Sequence, residues 1–419
     1  MPAMSNLQAT LPHRPSRLAR FLAVVGPGFV VMLADTDVGS IITAGQSGVQ
    51  WGYRLLLLQV VLMPILYVVQ ELTVRLGIFT GRGHGELIAE TFGKLWAWVS
   101  VAGLAVAVAG ALLSEFSGVA GVGELYGVSR WVTLPVAAIA LLGVVLSGGY
   151  RRVERIAIAL GLFELAFFAV AFTAQPSLPE MASGALSIPF TDTKYLYLVA
   201  ANIGAVIMPW MVFYQQSAIA DKRLRPEHFR AARVDTAIGA VVTQLVMAAV
   251  LVAAAAYVGT VDPDRDMKTI GDLAGALTPL FGSAVGKLLF SAGVLGAGMV
   301  AAIVASLALA WGVGEVGGYK RSLELRPMQA PWFYGVFSVA VVLAALLIAV
   351  WPDLVALNVA VQVMNALLLP LVLGFLIALA AKALPEPVRL RGAYFWVVCI
   401  VAGVTCALGV YGGISGAAS

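Results

Sequence analysis

Charged residues are scarce in this chain of 419 residues. Asp, Glu, Lys and Arg together make up 11% of it, whereas the apolar residues AVILMFWYC make up 61%. A soluble domain carries about 25% charged residues and needs them to cover its surface. The scarcity therefore excludes a soluble enzyme, a disordered chain and a nucleic-acid-binding protein. It indicates an all-α protein that crosses a lipid bilayer many times.

Cysteine and histidine are also nearly absent. Cys399 and Cys406 lie two helical turns apart in one apolar run, roughly 10 Å, which is too far for a disulfide bond. The three histidines, His13, His84 and His228, fall outside the apolar runs. This removes the most convenient carrier of protons within a membrane. It also removes the histidine that a membrane enzyme would need at depth.

Apolar runs long enough to cross a bilayer core of about 30 Å recur along the chain. Their continuity, without a two-residue alternation, is typical of helices and not of barrel strands. The longest polar loops, 175–193 and 260–278, are too short for a domain, so function must lie inside the bundle. We predict eleven transmembrane helices, at 21–47, 52–79, 95–123, 131–148, 153–174, 194–219, 235–259, 279–314, 331–350, 354–381 and 392–412.

The basic residues are divided unequally between the two sides that eleven helices imply. Twenty of the 26 Lys and Arg fall on one side, together with the tail 1–20. The other six are Arg54, Arg130, Lys194, Arg265, Lys268 and Lys287. The positive-inside rule then puts the N-terminus in the cytoplasm and the C-terminus outside a cell membrane. The net charge of +4 is accordingly a topology signal and not a nucleic-acid footprint.

Two carboxylates stand near the centre of the first segment, which reads GPGFVVMLADTDVGSIITAG at 26–45. A charged residue at that depth costs about 2.5–3.5 kcal/mol on insertion scales, so it usually faces a cavity, a cation or a partner. On a regular helix Asp35 and Asp37 would point about 200° apart. Gly39 and the polar run around it favour a broken helix, whose freed backbone carbonyls are cation ligands.

The sixth segment carries a matching interruption, Met208-Pro209 in ANIGAVIMPWMVFYQQS at 201–217. Proline removes a backbone donor and disrupts a helix in mid-membrane. Two breaks at the same position of two five-helix halves, 21–174 and 194–381, mark the binding site of an inverted-repeat transporter. The segment 392–412 follows the second half.

Six further polar residues fall within the segments: Glu71, Glu115, Glu164, Glu315, Gln362 and Asn365. For Glu71, Glu164 and Glu315 we favour pairing or capping near a helix end. Glu115 is nearer mid-helix, and both a functional and a structural role stay open for it. Gln362 and Asn365 either line a cavity or form hydrogen bonds between helices.

The sequence resembles the Nramp family of divalent metal transporters over nearly its whole length. The family has a LeuT-type fold with Asp-Pro-Gly-Asn in helix one and Met-Pro-His-Asn in helix six, which align here with 37–40 and 208–211. Further similar stretches are GPGF at 26–29, QSGVQWGYRLLL at 46–57, QELTVRLGIFTG at 70–81, YRRVER at 150–155, GAVIMP at 204–209 and VQVMNALLLP at 361–370.

The resemblance implies a LeuT-type inverted repeat with helices one and six broken at mid-membrane, and an ion site between the breaks. The side chains that it implies as ligands are Asp37, Ser40, Met208 and Gln362. The backbone carbonyls are those of Ala34 and Ala205. Asp35 is an additional candidate ligand, because the family commonly has an aromatic residue there.

The departures from the family pattern concern mainly proton transfer. Val38 replaces a proline, Ser40 an asparagine and Trp210 a histidine. In helix three only Glu115 remains of an acidic pair, since Leu112 replaces the aspartate. The family's arginine pair in helix nine has no counterpart in 331–350. We therefore expect weak or no proton coupling, with Glu115 as the candidate proton carrier.

We predict a divalent metal ion transporter that works by alternating access in a lipid bilayer, without a resident cofactor. Mn²⁺ is favoured because the Met208 thioether disfavours Ca²⁺ and Mg²⁺. A Mg²⁺ transporter is the close alternative, since Asp35 and Ser40 add oxygen ligands. Further alternatives are an amino-acid or amine symporter of the same fold, which an acidic first helix disfavours, and a non-transporting sensor.

Overall fold

All regular structure in the described part of the chain is helical. The computed structural model describes residues 26–261, 271, 274, 283–350 and 354–418. The predicted tail 1–20 and most of the loop 260–278, with Arg265 and Lys268, lie outside the described residues. The α-helices in chain order are α1 Pro27–Asp35, α2 Val38–Trp51, α3 Leu56–Thr80, α4 His84–Phe92, α5 Lys94–Leu125, α6 Arg130–Leu146, α7 Tyr150–Gly161, α8 Ala166–Thr173, α9 Leu178–Ala185, α10 Thr193–Val206, α11 Pro209–Asp221, α12 Phe229–Val261, α13 Ser283–Gly317, α14 Pro331–Ala349, α15 Leu354–Lys382 and α16 Gly392–Ala417.

The predicted class, a helical protein with many membrane passes, is confirmed. Nine helical stretches of the described residues are long and apolar enough to cross a membrane. One of them, Val38–Thr80, contains the 3₁₀ turn Gly52–Leu55 between α2 and α3. Arg130–Leu146 is apolar but shorter. The count of eleven transmembrane helices remains a prediction.

The structure differs from the predicted segments in three places. The loop 175–193 contains the short helix α9, which begins with Leu178 and has a proline in its first turn, where no backbone donor is needed. Segment 153–174 is divided by the 3₁₀ turn Leu162–Leu165. Helix α12 begins at Phe229, six residues before the predicted start, because its first turn is a polar extension of the apolar run.

The pair α10 and α11 lies at the centre of the bundle and α16 lies at its edge. In the most apolar 18 residues of Thr193–Asp221, 94% of the residues are buried. In the most apolar 18 residues of Gly392–Ala417, only 17% are. Helix α10 packs against both α15 and α16, α5 packs against α13, and α12 packs against α2 and α3. The outer face of α16 exposes large apolar side chains such as Trp396 and Ile400, as expected for a surface in contact with lipid.

Helices α10 and α15 approach each other at Gly204. A Cβ atom there would overlap the backbone carbonyl oxygen of Gln362 and would lie 2.7 Å from the backbone nitrogen of Ala366. Neither backbone atom can move without shifting α15. The glycine at 204 therefore sets how closely the Gln362–Ala366 turn of α15 approaches the end of α10.

We expect Gly204→Ala to destabilise the protein, although alanine is the better helix former by about 1 kcal/mol. Overlap with backbone atoms costs about 1–3 kcal/mol, which outweighs that gain. The measurement is the melting temperature of the purified protein in detergent. The control is Gly374→Ala on α15, where an added Cβ has no heavy atom within 4 Å. Equal melting temperatures of the two variants would contradict the close approach.

Candidate metal site

The interruption between α1 and α2 follows from the local sequence. Helix α1 ends at Asp35, and Thr36 leaves the helical region with φ −78° and ψ 50°. Asp37 is extended, and its Oδ1 accepts a hydrogen bond of 2.6 Å from the backbone nitrogen of Ser40. A short carboxylate in this position satisfies a donor that the first turn of a helix leaves free. Asp37 thus starts α2 as its N-cap.

The interruption between α10 and α11 has a different local cause. The residue before a proline is driven towards the extended region, and Met208 has φ −95° and ψ 140°. Pro209 is the first residue of α11, where its missing N–H costs nothing. The proline therefore begins a helix here instead of kinking one. Met208 stands between the two half-helices and is completely buried.

Hydrogen bonds join the two interruptions and α15. The Ser40 hydroxyl donates to the carbonyl oxygen of Ala205 at 2.9 Å, near the end of α10. Gln362 Nε2 lies 3.5 Å from Asp37 Oδ1, and Asn365 Nδ2 donates to Gln362 Oε1 at 2.9 Å. The structure thus brings together four of the predicted ligands, Asp37, Ser40, Ala205 and Gln362.

Carboxylate oxygens without partners face this cluster. Asp37 is completely buried, and its Oδ2 has no hydrogen-bond partner. Glu115 on α5 accepts a hydrogen bond of 3.2 Å from the backbone nitrogen of Val38 through Oε2, while its Oε1 has no partner. Leaving a buried carboxylate oxygen unpaired is costly. A cation between the half-helices would relieve that cost at Asp37.

Two of the three remaining candidate ligands, Ala34 and Met208, lie at the interruptions without a hydrogen bond to this cluster. Ala34 is in the last turn of α1, where backbone carbonyls lack partners within the helix. Met208 lies three residues after Ala205. Both are completely buried. Their roles as ligands stay predictions.

Asp35 makes its contacts in a different direction. Its Oδ2 lies 3.5 Å from the Thr243 hydroxyl on α12, and that hydroxyl is 2.5 Å from the hydroxyl of Thr36. Asp37 instead caps α2 and contacts α15. The hydrogen bonds of Asp35 therefore do not join it to the Asp37 cluster.

The donors around Asp37 are mixed in chemistry. No group of three or more His, Cys, Asp and Glu residues within the described ranges could hold a metal ion. Asp37 contributes charge, and the remaining candidates are a hydroxyl, an amide, backbone carbonyls and a thioether. Such a set can hold a divalent ion without the all-charged cage of a resident structural site, which suits an ion that must leave again.

Two of the three acidic residues assigned to pairing or capping behave as expected. Glu71 pairs with Arg75 at 2.7 Å and with Arg233 at 3.3 Å. Glu315 accepts hydrogen bonds from the Ser217 hydroxyl at 2.6 Å and from the backbone nitrogen of Gly85 at 2.8 Å, which caps α4. Both side chains are buried with partners, as the rule for buried charge requires.

The prediction for Glu164 is wrong. It lies in the 3₁₀ turn Leu162–Leu165 and is 1% exposed, and neither carboxylate oxygen has a hydrogen-bond partner. The 3₁₀ turn between the end of α7 and the start of α8 turns this side chain towards the interior. A sequence signal was present, because the nearest basic residue, Arg155, is nine positions away.

Apolar residues occupy the region where the family pattern has proton-transfer groups. A cavity of about 460 Å³ between α5 and α14 is lined by apolar side chains, among them Leu112, Val336 and Leu343. Helix α14 contains no Lys or Arg. His84 at the start of α4 donates to Gln216 Oε1 at 2.9 Å. Its burial lowers the pKa to about 4, so it is neutral at physiological pH.

Comparison with known proteins gives one consistent family. A profile described as "Natural resistance-associated macrophage protein-like" (Nramp) matches residues 28–415. The divalent metal cation transporter MntH of Aeromonas hydrophila subsp. hydrophila is 30% identical over 313 residues, which are 72% of this chain and 74% of that protein. MntH of Pectobacterium carotovorum subsp. carotovorum is 31% identical over 318 residues, 74% of this chain and 75% of that protein.

Solved structures share the fold. The manganese transporter of Eremococcus coleocola superposes with a TM-score of 0.76 at 20% identity, covering 96% of this chain and 89% of its own. Mhp1, a nucleobase-cation-symport-1 family transporter, superposes with a TM-score of 0.59 at 15% identity. The arrangement is therefore LeuT-like. With its profile match over residues 28–415, the chain belongs to the Nramp family, whose members are transporters and not enzymes.

Proposed function

We propose that this protein transports divalent metal ions by alternating access, with Mn²⁺ as the favoured ion. The observation that carries the proposal is the buried, unpartnered Oδ2 of Asp37 between two interrupted helices. The names of the related MntH proteins, and of the manganese transporter with the same fold, support a divalent metal as substrate.

The proposed ligands divide the work by chemistry. Asp37 supplies charge and a hard oxygen, and Ser40, Gln362 and the carbonyls of Ala34 and Ala205 supply neutral oxygens. The Ser40 hydroxyl keeps lone pairs for an ion while it donates to Ala205. Met208 supplies a soft sulfur, which favours Mn²⁺ over Mg²⁺ and Ca²⁺. We leave Asp35 out of this set because its hydrogen bond is to Thr243.

We infer that the membrane arrangement is eleven transmembrane helices with two inverted five-helix repeats, 21–174 and 194–381, followed by 392–412. The interruptions at 36–37 and 207–208 occupy equivalent places in the two repeats, which supports breaks at mid-membrane. The uneven distribution of Lys and Arg supports a cytoplasmic N-terminus and an extracytoplasmic C-terminus.

Asp37→Ala should abolish Mn²⁺ uptake into proteoliposomes, because it removes the only charge proposed to touch the ion. The measurement is quenching of a metal-sensitive dye inside the vesicles. The matched control is Asp192→Ala, which removes the carboxylate that caps α10 through Lys194 and Tyr195. Losing that cap costs stability, about 0.5–2 kcal/mol, but no ligand. Uptake by Asp37→Ala at the control's rate would refute the site.

We expect Mn²⁺ uptake to carry few or no protons, since apolar residues line the cavity between α5 and α14. A pH-sensitive dye in the same vesicles should report little acidification during uptake, and Glu115→Gln should change the proton signal no more than the Mn²⁺ signal. Robust acidification that Glu115→Gln alone abolishes would show tight coupling through Glu115.

A Mg²⁺ transporter is the second candidate, and Met208 distinguishes it. If the thioether touches the ion, Met208→Ala should weaken Mn²⁺ and Cd²⁺ binding more than Mg²⁺ binding in isothermal titration. Met247→Ala, which truncates another buried methionine, controls for packing loss. An unchanged preference in Met208→Ala, with a larger effect of Asp35→Asn, would favour a hydrated Mg²⁺ ion held by Asp35.

A further inference from the structure

Glu164 is a buried carboxylate that the proposed metal site does not use. It lies in the 3₁₀ turn Leu162–Leu165, is 1% exposed, and neither of its oxygens has a hydrogen-bond partner. Buried charges in proteins are normally paired or hold metal ions. A group of this kind inside a membrane protein is a candidate for a cation pathway or site.

The packing of α7 on α1 directs Glu164 towards the first interruption. Gly161 ends α7 against Leu33, since a Cβ atom at Gly161 would lie 2.7 Å from the Leu33 Cδ1 atom. Three residues beyond Gly161 and Leu33 respectively, the Glu164 carboxyl lies beside the Thr36 hydroxyl. Glu164 thus points at the C-terminal end of α1.

Helix α12 completes the enclosure from another side. Gly239 packs on Met32 of α1, and one turn later the Thr243 hydroxyl is 2.5 Å from the Thr36 hydroxyl. Thr243 also lies 3.5 Å from Asp35 Oδ2, while Asp35 Oδ1 has no partner. Two carboxylates and two hydroxyls therefore surround the end of α1.

The charges in this group are all of one sign. The titratable neighbours of Asp35 and Glu164 at the end of α1 are other carboxyl groups, Asp37 among them. Each of the four residues Asp35, Thr36, Thr243 and Glu164 is at most 2% exposed. Like charges in a poorly solvated site repel strongly. A bound cation would turn that repulsion into attraction.

We propose that a sodium ion binds at the C-terminal end of α1, held by Asp35, Thr36, Thr243 and Glu164. Every donor is a hard oxygen, unlike the mixed set around Asp37. The end of a half-helix adds free carbonyls and the negative end of the helix dipole. Mg²⁺ sheds its water reluctantly, and Ca²⁺ takes six to eight oxygens, so it would need all six side-chain oxygens of this group or more. A dry site with few ligands suits Na⁺ better.

The position of the site gives Na⁺ a means to act on transport. Helix α1 is held at its start by Asp235 of α12, which accepts hydrogen bonds from the backbone nitrogens of Gly26 and Phe29 at 3.3 and 3.2 Å. Na⁺ would hold the other end against α12 and the turn of Glu164. Bound Na⁺ therefore favours states in which the end of α1 stays packed against α12. This end of α1, at Asp35, is two residues from Asp37. This consequence rests on the proposed function, whereas the binding of Na⁺ does not.

The test is binding of ²²Na⁺ to the purified full-length protein in detergent, without divalent metals and at constant ionic strength. Excess K⁺ or N-methyl-D-glucamine serves as the competitor control. The wild type should bind Na⁺ saturably, and Glu164→Gln should weaken this at least about tenfold, or 1.4 kcal/mol. Thr243→Val should also weaken Na⁺ binding, and it replaces Glu164→Gln as the test variant if that protein does not fold.

The matched control is Glu315→Gln, a buried glutamate on α13 that lies outside this group and should leave Na⁺ binding unchanged. Mn²⁺ binding, measured separately, should survive in Glu164→Gln, so that failure of the Mn²⁺ site and failure of the Na⁺ site are distinguishable. Equal displacement by Na⁺ and K⁺, or equal Na⁺ affinity in the wild type and both variants, would overturn the proposal. A melting temperature that changes with pH but not with Na⁺ would also overturn the proposal, since protons and not Na⁺ would then neutralise the carboxylates.

Discussion

A carboxylate buried away from water needs a partner, and that requirement organises the centre of this protein. Asp35, Asp37, Glu115 and Glu164 are all at most 1% exposed, and each has at least one oxygen without a hydrogen-bond partner. Regular helices could not bring them near backbone donors or carbonyls. The interruption at 36–37 does so, because it ends α1 and starts α2 within two residues. In the function that we propose, a cation between the half-helices supplies the missing partner of Asp37.

The two interruptions show which part of the fold follows from sequence. Pro209 and the polar run around Asp37 act through local physics, so their positions predicted where helices stop and start. The apolar runs likewise predicted a helical membrane protein. The 3₁₀ turn at Leu162–Leu165 has no proline or polar run to mark it. It depends on packing of α7 and α8 against other helices, and the mistaken role for Glu164 follows from that.

The site residues also divide into those that the sequence predicts and those that depend on packing. The family motif identified Asp37, Ser40, Ala205 and Gln362, and hydrogen bonds join these residues in the structure. No motif indicates Thr243, because its importance comes only from the contact of α12 with Thr36. The direction of Asp35 also depends on that contact. Residues that act through tertiary neighbours are therefore the ones that sequence patterns leave out.

The central claim is that a divalent ion binds between the half-helices at Asp37. Anomalous diffraction from crystals soaked in Mn²⁺, with data collected at the manganese absorption edge, tests it most directly. The account predicts one strong peak within bonding distance of Asp37 Oδ2 and the carbonyl oxygen of Ala205, with the Met208 sulfur beside it. A peak between Asp35 and Glu164 instead, or no peak between the half-helices at saturating Mn²⁺, would contradict it.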